Sequence, residues 1–170
     1  MSGIIGLSPN MKSGVLGKYP DGHVIQVCSN SDDTTVTNTG ASEVVCACFC
    51  DITIKSSTST LMILASCEFY QDSTPWVVHY NIKQKSGAGH DIDPAAYTQI
   101  KPFSRAAGQD GDEGFYTVPL QVHWTHGQSV GATHNIAVTQ TIASSGTVHN
   151  NNSSAFSVMS IYEVEGTVTG

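Results

Sequence analysis

Hydrophobic and polar residues alternate with a period of two along most of the chain, and no segment follows the period of a helix. The alternation is longest in the C-terminal half, at residues 115–126, 134–142 and 155–164, which are rich in Val, Ile, Thr and aromatic side chains. Clusters of Gly, Ser and Asn separate these segments, and such clusters form turns. The pattern predicts three long strands with one face buried and the other solvated.

Shorter segments upstream show the same alternation. They lie at residues 23–28, 34–37, 44–55, 60–70 and 76–83, and residues 97–103 are a further candidate inside a long, partly extended excursion over 84–114. Eight or nine strands suffice for two packed antiparallel sheets. The sequence therefore predicts an all-β fold over residues 23–170, an antiparallel β-sandwich or jelly roll.

Residues 1–22 have a different character, with five glycines, two prolines and isolated aliphatic residues. Such a segment cannot form a core of its own, but it can lie extended against another surface. A disordered leader is the alternative. We expect an extended N-terminal arm that anchors through its aliphatic side chains, which are Ile4, Ile5, Leu7, Val15 and Leu16.

Composition and charge narrow the class of protein. The 170 residues fit one domain, only 12% of them are charged, and the chain is rich in Ser, Thr, Gly and Asn, as in extracellular or virion-type β proteins. The net charge is −7 and the seven Lys and Arg are scattered, which argues against nucleic-acid binding. The N-terminus lacks the pattern of a signal peptide, and no apolar run approaches the roughly 18 residues of a membrane span. We expect synthesis in a cytoplasm, no export by the ordinary route and no membrane insertion.

Five cysteines are present, and Cys46, Cys48 and Cys50 alternate along one predicted strand. Thiols two positions apart on a strand share a face but are about 7 Å apart, at or beyond the limit for a disulfide. A zinc or copper site is the alternative, although structural zinc sites usually pair two Cys knuckles. We interpret the cysteines as small buried hydrophobic residues.

The remaining sequence patterns give weaker evidence for a metal site or a catalytic site. His123 and His126 face opposite sides of a strand, and residues 110–113 are acidic but too short for a calcium-binding loop. The chain has seven histidines, so a metal site on a trimer axis and a cupin-type metal centre are alternatives. The sequence contains no His-x-His pair, which would be the motif for such a site. No nucleophile elbow or paired-carboxylate motif stands out. The sequence predicts no catalytic residue, no metal, no cofactor and no enzymatic activity.

The order of strands resembles a pattern found in structural proteins of tailed phages, especially marine and cyanobacterial phages. The resemblance covers about 150 positions and is carried by residues 22–27, 51–65, 116–124 and 157–164, together with the leader segments 2–6 and 12–17. It departs from that pattern at Ile54 and Lys55, where a proline is frequent, and in the longer acidic loop 87–114.

The resemblance implies a non-enzymatic virion protein: a homotrimeric β-sandwich displayed on the particle, held by the arm to other capsid or tail proteins. The leading hypothesis is a tail fibre or receptor-binding knob that contacts a host surface glycan or protein. A capsid decoration protein is the alternative, and a free carbohydrate-binding module is a more distant one. The candidate receptor contacts are the aromatic residues Trp76, Tyr80, Tyr97 and Phe103.

Overall fold

The structure is a computed structural model. It describes residues 21–72, 78–107, 114–143, 146–151 and 156–166, and the side chains of 71–72 and 101–107 lie outside that description. The arm residues Ile4, Ile5, Leu7, Val15 and Leu16 therefore lie outside the described residues. Within the described ranges, no helix has the length and apolar character that a membrane span requires.

Ten strands make up about two thirds of the described chain. They are β1 (Val24–Asp32), β2 (Val36–Asn38), β3 (Val44–Thr53), β4 (Thr60–Asp72), β5 (Val78–Ser86), β6 (Thr98–Ala107), β7 (Gly114–Thr125), β8 (Thr133–Ile142), β9 (Thr147–Asn150) and β10 (Ser157–Val164). A 3-10 turn, Pro94–Ala96, precedes β6, and Asp93 caps it by accepting a hydrogen bond from the backbone N–H of Ala95.

The strands form two antiparallel sheets. Sheet A has the order β1-β10-β4, with β7 on the free side of β4 and the short strands β9 and β2 continuing beyond the end of β10. Sheet B has the order β3-β8-β5-β6. If the eight long strands are counted along the chain, the sheets read 1-8-3-6 and 2-7-4-5, which is the strand order of a jelly roll. The predicted antiparallel sandwich is confirmed.

The core lies between the two sheets and follows the period-two pattern. Inward-facing residues of both sheets are almost fully buried: Cys46, Cys48, Ile52, Leu61, Ile63, Phe69, Tyr80, Ile82, Ile136, Val138, Met159 and Ile161. Alternate residues of the same strands point outward, so each strand contributes one face to the core. Burial of these aliphatic faces is the main source of stability.

A pair of buried asparagines at the end of β9 joins the two sheets. The strand β3 has an irregular register between Val45 and Phe49, and Asn150 Oδ1 accepts a hydrogen bond from the Ala47 N–H there, at 3.0 Å. Asn151 has a left-handed backbone (φ 57°), and its Nδ2 donates to the Asp32 carbonyl at 2.8 Å. These amides replace backbone partners that the irregular strand loses.

The central part of the outer face of sheet B is covered by the loop that leads to β6. Asn135 on β8 donates to Asp51 on β3 at 2.6 Å, and the Tyr97 hydroxyl donates to Asn135 at 2.6 Å. Asp51 also accepts from the backbone N–H of Gly89, and His90 stacks on Phe49 with centroids 4.2 Å apart. Consequently, residues 134–140 of β8 are buried on both faces.

Candidate functional site

Across four strands, the outer face of sheet A is covered by none of the described residues, and we call this surface the A-face. Strand pairing places its outward side chains in rows of four. The rows are Pro119–Ser66–Val158–Ser31, Gln121–Leu64–Ser160–Ser29 and His123–Met62–Tyr162–Val27. The central residues are half-buried, while Pro119 and Gln121 are exposed and Val27 is 53% exposed.

A groove of about 410 Å³ runs through the middle of the A-face. Leu64 and Ala65 of β4 contribute to its lining, together with residues of β7 and β10, which are Pro119, Leu120, Gln121, Val158, Ser160 and Tyr162. The groove lies where small serines separate larger apolar side chains. A narrow concave strip of this kind suits an extended segment that places alternate side chains in pockets.

The A-face carries no charged side chain in these rows, although the chain has 14 acidic residues and a net charge of −7. Glu68 lies in the next row along β4 and accepts a hydrogen bond from the Thr117 hydroxyl. Depletion of charge at an exposed patch is the compositional mark of the centre of a protein interface. The A-face is therefore the candidate functional site.

A row of rings borders the A-face at the end that leads to β9. Phe115, Tyr70 and His149 are paired neighbours on β7, β4 and β9. Their ring centroids are 4.9 Å apart for Phe115 and Tyr70, and 6.1 Å apart for Tyr70 and His149. Phe115 is 57% exposed, so its ring offers an aromatic surface to solvent.

A cluster of buried polar side chains lies at the end of the sandwich opposite to β9. It brings a serine, a histidine and a carboxylate together. Ser59 Oγ lies 2.9 Å from His126 Nε2 and 2.7 Å from Glu163 Oε1. All three side chains are buried: Glu163 has no exposed surface, Ser59 is 1% exposed and His126 is 8% exposed. The residue types are those of a hydrolytic triad, so their geometry decides what the cluster can do.

The geometry is that of a structural clamp. His126 Nδ1 accepts a hydrogen bond from the backbone N–H of Gln128 at 2.8 Å, which leaves the ring proton of the neutral form on Nε2. That nitrogen then donates to Ser59 Oγ and cannot take the serine proton as a general base. Burial lowers the pKa of His126, and the neighbouring Glu163 opposes this shift. The carboxylate contacts the serine directly, so it does not orient the imidazole as a triad carboxylate does.

Glu163 instead fastens the loop between β3 and β4. Its two oxygens accept from the backbone N–H groups of Lys55 and Ser56 at 2.8–3.1 Å and from Gln26 Nε2 at 2.5 Å. With the Ser59 hydroxyl, four donors converge on one buried carboxylate. Such an anion is tolerated in a core because the donors replace its lost hydration.

Trp124 lies between two histidines near this clamp. Its ring centroid is 5.8 Å from that of His126 and 6.1 Å from that of His134. His134 Nδ1 lies 2.9 Å from Gln84 Oε1, so Nδ1 carries the ring proton of the neutral form. Burial lowers the pKa of His134. Both histidines are thus held neutral at pH 7.

The described part of the chain contains no group of three or more His, Cys, Asp or Glu side chains arranged to hold a metal. His123 is exposed on the A-face and His126 is buried, in agreement with their predicted opposite orientations. All five cysteines are free thiols, four of them are buried and Cys28 is half-buried. Burial raises the pKa of Cys50 to about 12, which keeps its thiol protonated and unreactive.

Two of the four predicted receptor contacts, Tyr80 and Tyr97, have side chains that the structure describes, and these two lie on different surfaces of sheet B. Trp76 lies outside the described residues, and Phe103 lies on β6 with its side chain outside the description. Tyr80 has no exposed surface and packs in the core against Phe69. Tyr97 is 6% exposed and lies on the other side of sheet B. Neither Tyr80 nor Tyr97 therefore offers its ring to a partner in this fold.

The A-face itself was missed by sequence reasoning, although the chain carried a signal for it. Outward positions of the half-buried strands at 60–70 and 157–164 hold Leu64, Val158 and Tyr162, where a solvated face would carry charged residues. Only the pairing of β4, β7 and β10 shows that these positions meet on one surface.

Neither a protein-family model nor a curated protein matches the chain. Among solved structures, one of the infectious bursal disease virus Gx strain aligns with 85% of this chain and 38% of that chain, at 10% identity and a TM-score of 0.38. A mutant VP2 protein of the same virus in derived T=1 particles aligns with 94% and 40%, at 14% identity and a TM-score of 0.37. The chain spans about two fifths of the length of these proteins, and likeness at this level carries no argument about its fold or function.

Proposed function

We propose that this chain is a non-enzymatic structural protein of a virus particle, with the jelly roll as its displayed body. The observation that carries the proposal is the strand order of the two sheets, because jelly rolls of this order build virus shells. Lectin and cupin domains share the fold. The side chains of the chain, and not its fold, must therefore distinguish a virus structural protein from a lectin and from a cupin.

The interior of the sandwich supports a structural role over a cupin-type enzyme. A cupin centre requires metal ligands that converge between the sheets, whereas that space is filled here by Ile63, Phe69, Met159 and Ile161. The buried Ser59 and His126 are also arranged with the proton on the wrong nitrogen for nucleophilic catalysis.

Within the virion class, we infer a body that is displayed on the particle and an arm, residues 1–22, that attaches it to capsid or tail proteins. The resemblance to phage structural proteins supports a trimeric fibre or knob. The charge-free A-face supports a role in which protein surfaces meet, as they do in a decoration protein as well as in a fibre.

A free carbohydrate-binding module is the second candidate, and the row of Phe115, Tyr70 and His149 is the observation that favours it. Sugar rings pack on exposed aromatic faces, and Phe115 offers such a face. This candidate predicts a monomer that binds glycans through Phe115, with no attachment to a particle.

The deciding experiment is fractionation of particles from a culture that produces the protein, followed by quantitative mass spectrometry. A virion protein co-sediments with the particles at a fixed stoichiometry and resists a high-salt wash. Recovery of the protein only in the soluble fraction would overturn the proposal. Glycan-array binding that is abolished by Phe115→Ala, with no particle-bound protein, would establish the carbohydrate-binding module instead.

A further inference from the structure

We propose that the groove of the A-face is the docking site of the chain's own N-terminal segment, residues 1–20. The contact concerns the free chain, before residues 1–22 attach it to a particle, so it goes beyond the proposed function. Three observations support it, which are the size of the face, the distribution of charge and the point where the described chain begins.

The size of the A-face favours a narrow occupant. Four strands about 4.8 Å apart and three rows about 6.7 Å apart cover roughly 400 Å². A stable contact between two globular proteins needs about 800 Å² from each partner. The face is therefore half of what a second folded copy would require, whereas a single extended segment of about six residues matches the roughly 20 Å that the three rows span along the strands.

The N-terminal segment and the rest of the chain carry net charges of opposite sign. Residues 1–20 contain Lys12 and Lys18 and none of the 14 acidic residues, so their net charge is +2 and that of residues 21–170 is −9. The segment is otherwise uncharged and carries the aliphatic pairs Ile4-Ile5 and Val15-Leu16. Attraction to an acidic body and burial of aliphatic side chains in an uncharged groove act together.

The described chain begins at the correct edge of the sheet. Gly22 has a positive φ of 82° and its N–H donates to the Glu165 carbonyl at 2.8 Å, so a turn is fixed where the segment enters β1. Val15 and Leu16 precede this turn by about six residues, a reach of about 20 Å. The same distance separates Val164 from Val158 along β10, at the far end of the groove.

The segment is covalently attached to the body that it would contact, and this raises its effective concentration at the groove. A segment that is tethered within reach of its site experiences an effective concentration in the millimolar range, so a modest affinity fills the groove. Docking would place the two lysines of the segment beside an ordered surface and reduce their access to proteases.

Limited trypsin digestion of the full chain tests the proposal, because Lys12 and Lys18 are cleavage sites whose loss is read by intact mass. We expect these two bonds to be cut at least about tenfold more slowly than in a synthetic peptide of residues 1–20. Ser160→Lys places a cation in the groove and should restore the peptide rate. Thr98→Lys, at an exposed position of sheet B, is the matched control and should leave the protection unchanged.

A second variant avoids any effect on the folded body. Replacing both Val15 and Leu16 by Asp changes only the segment and should abolish the protection to the same extent as Ser160→Lys. Protection that is equal at about 1 and about 50 µM protein supports the chain's own segment as the occupant. The proposal is overturned if the wild-type segment is cut as fast as the free peptide, if Ser160→Lys leaves it protected, or if protection appears only at the higher concentration, which would assign the segment to a neighbouring copy.

Discussion

Replacing Glu163 tests whether the buried clamp at the end of β10 stabilises the fold. The carboxylate has no exposed surface and accepts from four donors, which are the N–H groups of Lys55 and Ser56, Ser59 Oγ and Gln26 Nε2. A hydrogen bond to a charged acceptor contributes about 1.5–3 kcal/mol, and the burial of an anion costs several kcal/mol. The net loss that we expect for Glu163→Ala is about 3–5 kcal/mol, a large part of the 5–15 kcal/mol that stabilises a typical domain.

Glu163→Gln separates hydrogen bonding from charge. If the amide oxygen takes the place of Oε1, the contacts to Ser56 and Ser59 are kept, but an NH₂ group then faces Gln26 Nε2, which is also a donor. The loss should be intermediate, about 2 kcal/mol. Urea unfolding measured by circular dichroism gives both values from the shift of the midpoint at constant slope.

Glu68→Ala is the matched control, because Glu68 is a partly exposed glutamate of sheet A that accepts from a single hydroxyl. We expect it to lose less than about 1 kcal/mol. If Glu163→Ala were as stable as this control, the four converging donors would contribute nothing net, and the interpretation of the cluster as a clamp would be wrong.

Three further predictions concern other buried polar groups. Asn151→Ala should lose about 2–3 kcal/mol in urea unfolding, and Asn151→Gly about 1 kcal/mol less, because only the alanine strains the left-handed backbone; equal losses would show that the positive φ costs nothing. Tyr80→Phe should stabilise the fold by about 1 kcal/mol, since its hydroxyl is buried without a partner among the described residues, and a destabilised variant would reveal one. Stability should be constant between about pH 6.5 and pH 8 and fall below this range, because burial lowers the pKa of His126 and His134 and the unfolded chain then binds more protons; each contributes at most about 1.4 kcal/mol per pH unit. Fluorescence of Trp124, in a variant whose other tryptophan is phenylalanine, should report this acid transition, and no change down to pH 4.5 would contradict it.

The period-two pattern predicted nine of the ten strands, because each half-buried strand shows its burial directly in its sequence. It missed β9, Thr147–Asn150, since four residues are too few to display an alternation. The strand order could not be predicted, because pairing such as that of β1 with β10 joins residues more than 120 positions apart. Glu163 was placed on a strand, but a carboxylate is so rarely buried that its role as a clamp appears only once its four donors are in position.

The two sheets differ in what covers their outer faces, and this difference is the strongest reason to regard the A-face as functional. The central part of the outer face of sheet B is covered by a loop of the chain itself, held through Asp51, Tyr97 and Asn135. The outer face of sheet A carries no charged side chain in its three central rows, and its central groove is left open among the described residues. A solvated sheet face ordinarily carries polar and charged side chains, so a cluster of apolar positions such as Leu64 and Tyr162 favours a segment that packs on them. The protection of Lys12 and Lys18 against trypsin decides whether that segment is the N-terminus of the same chain.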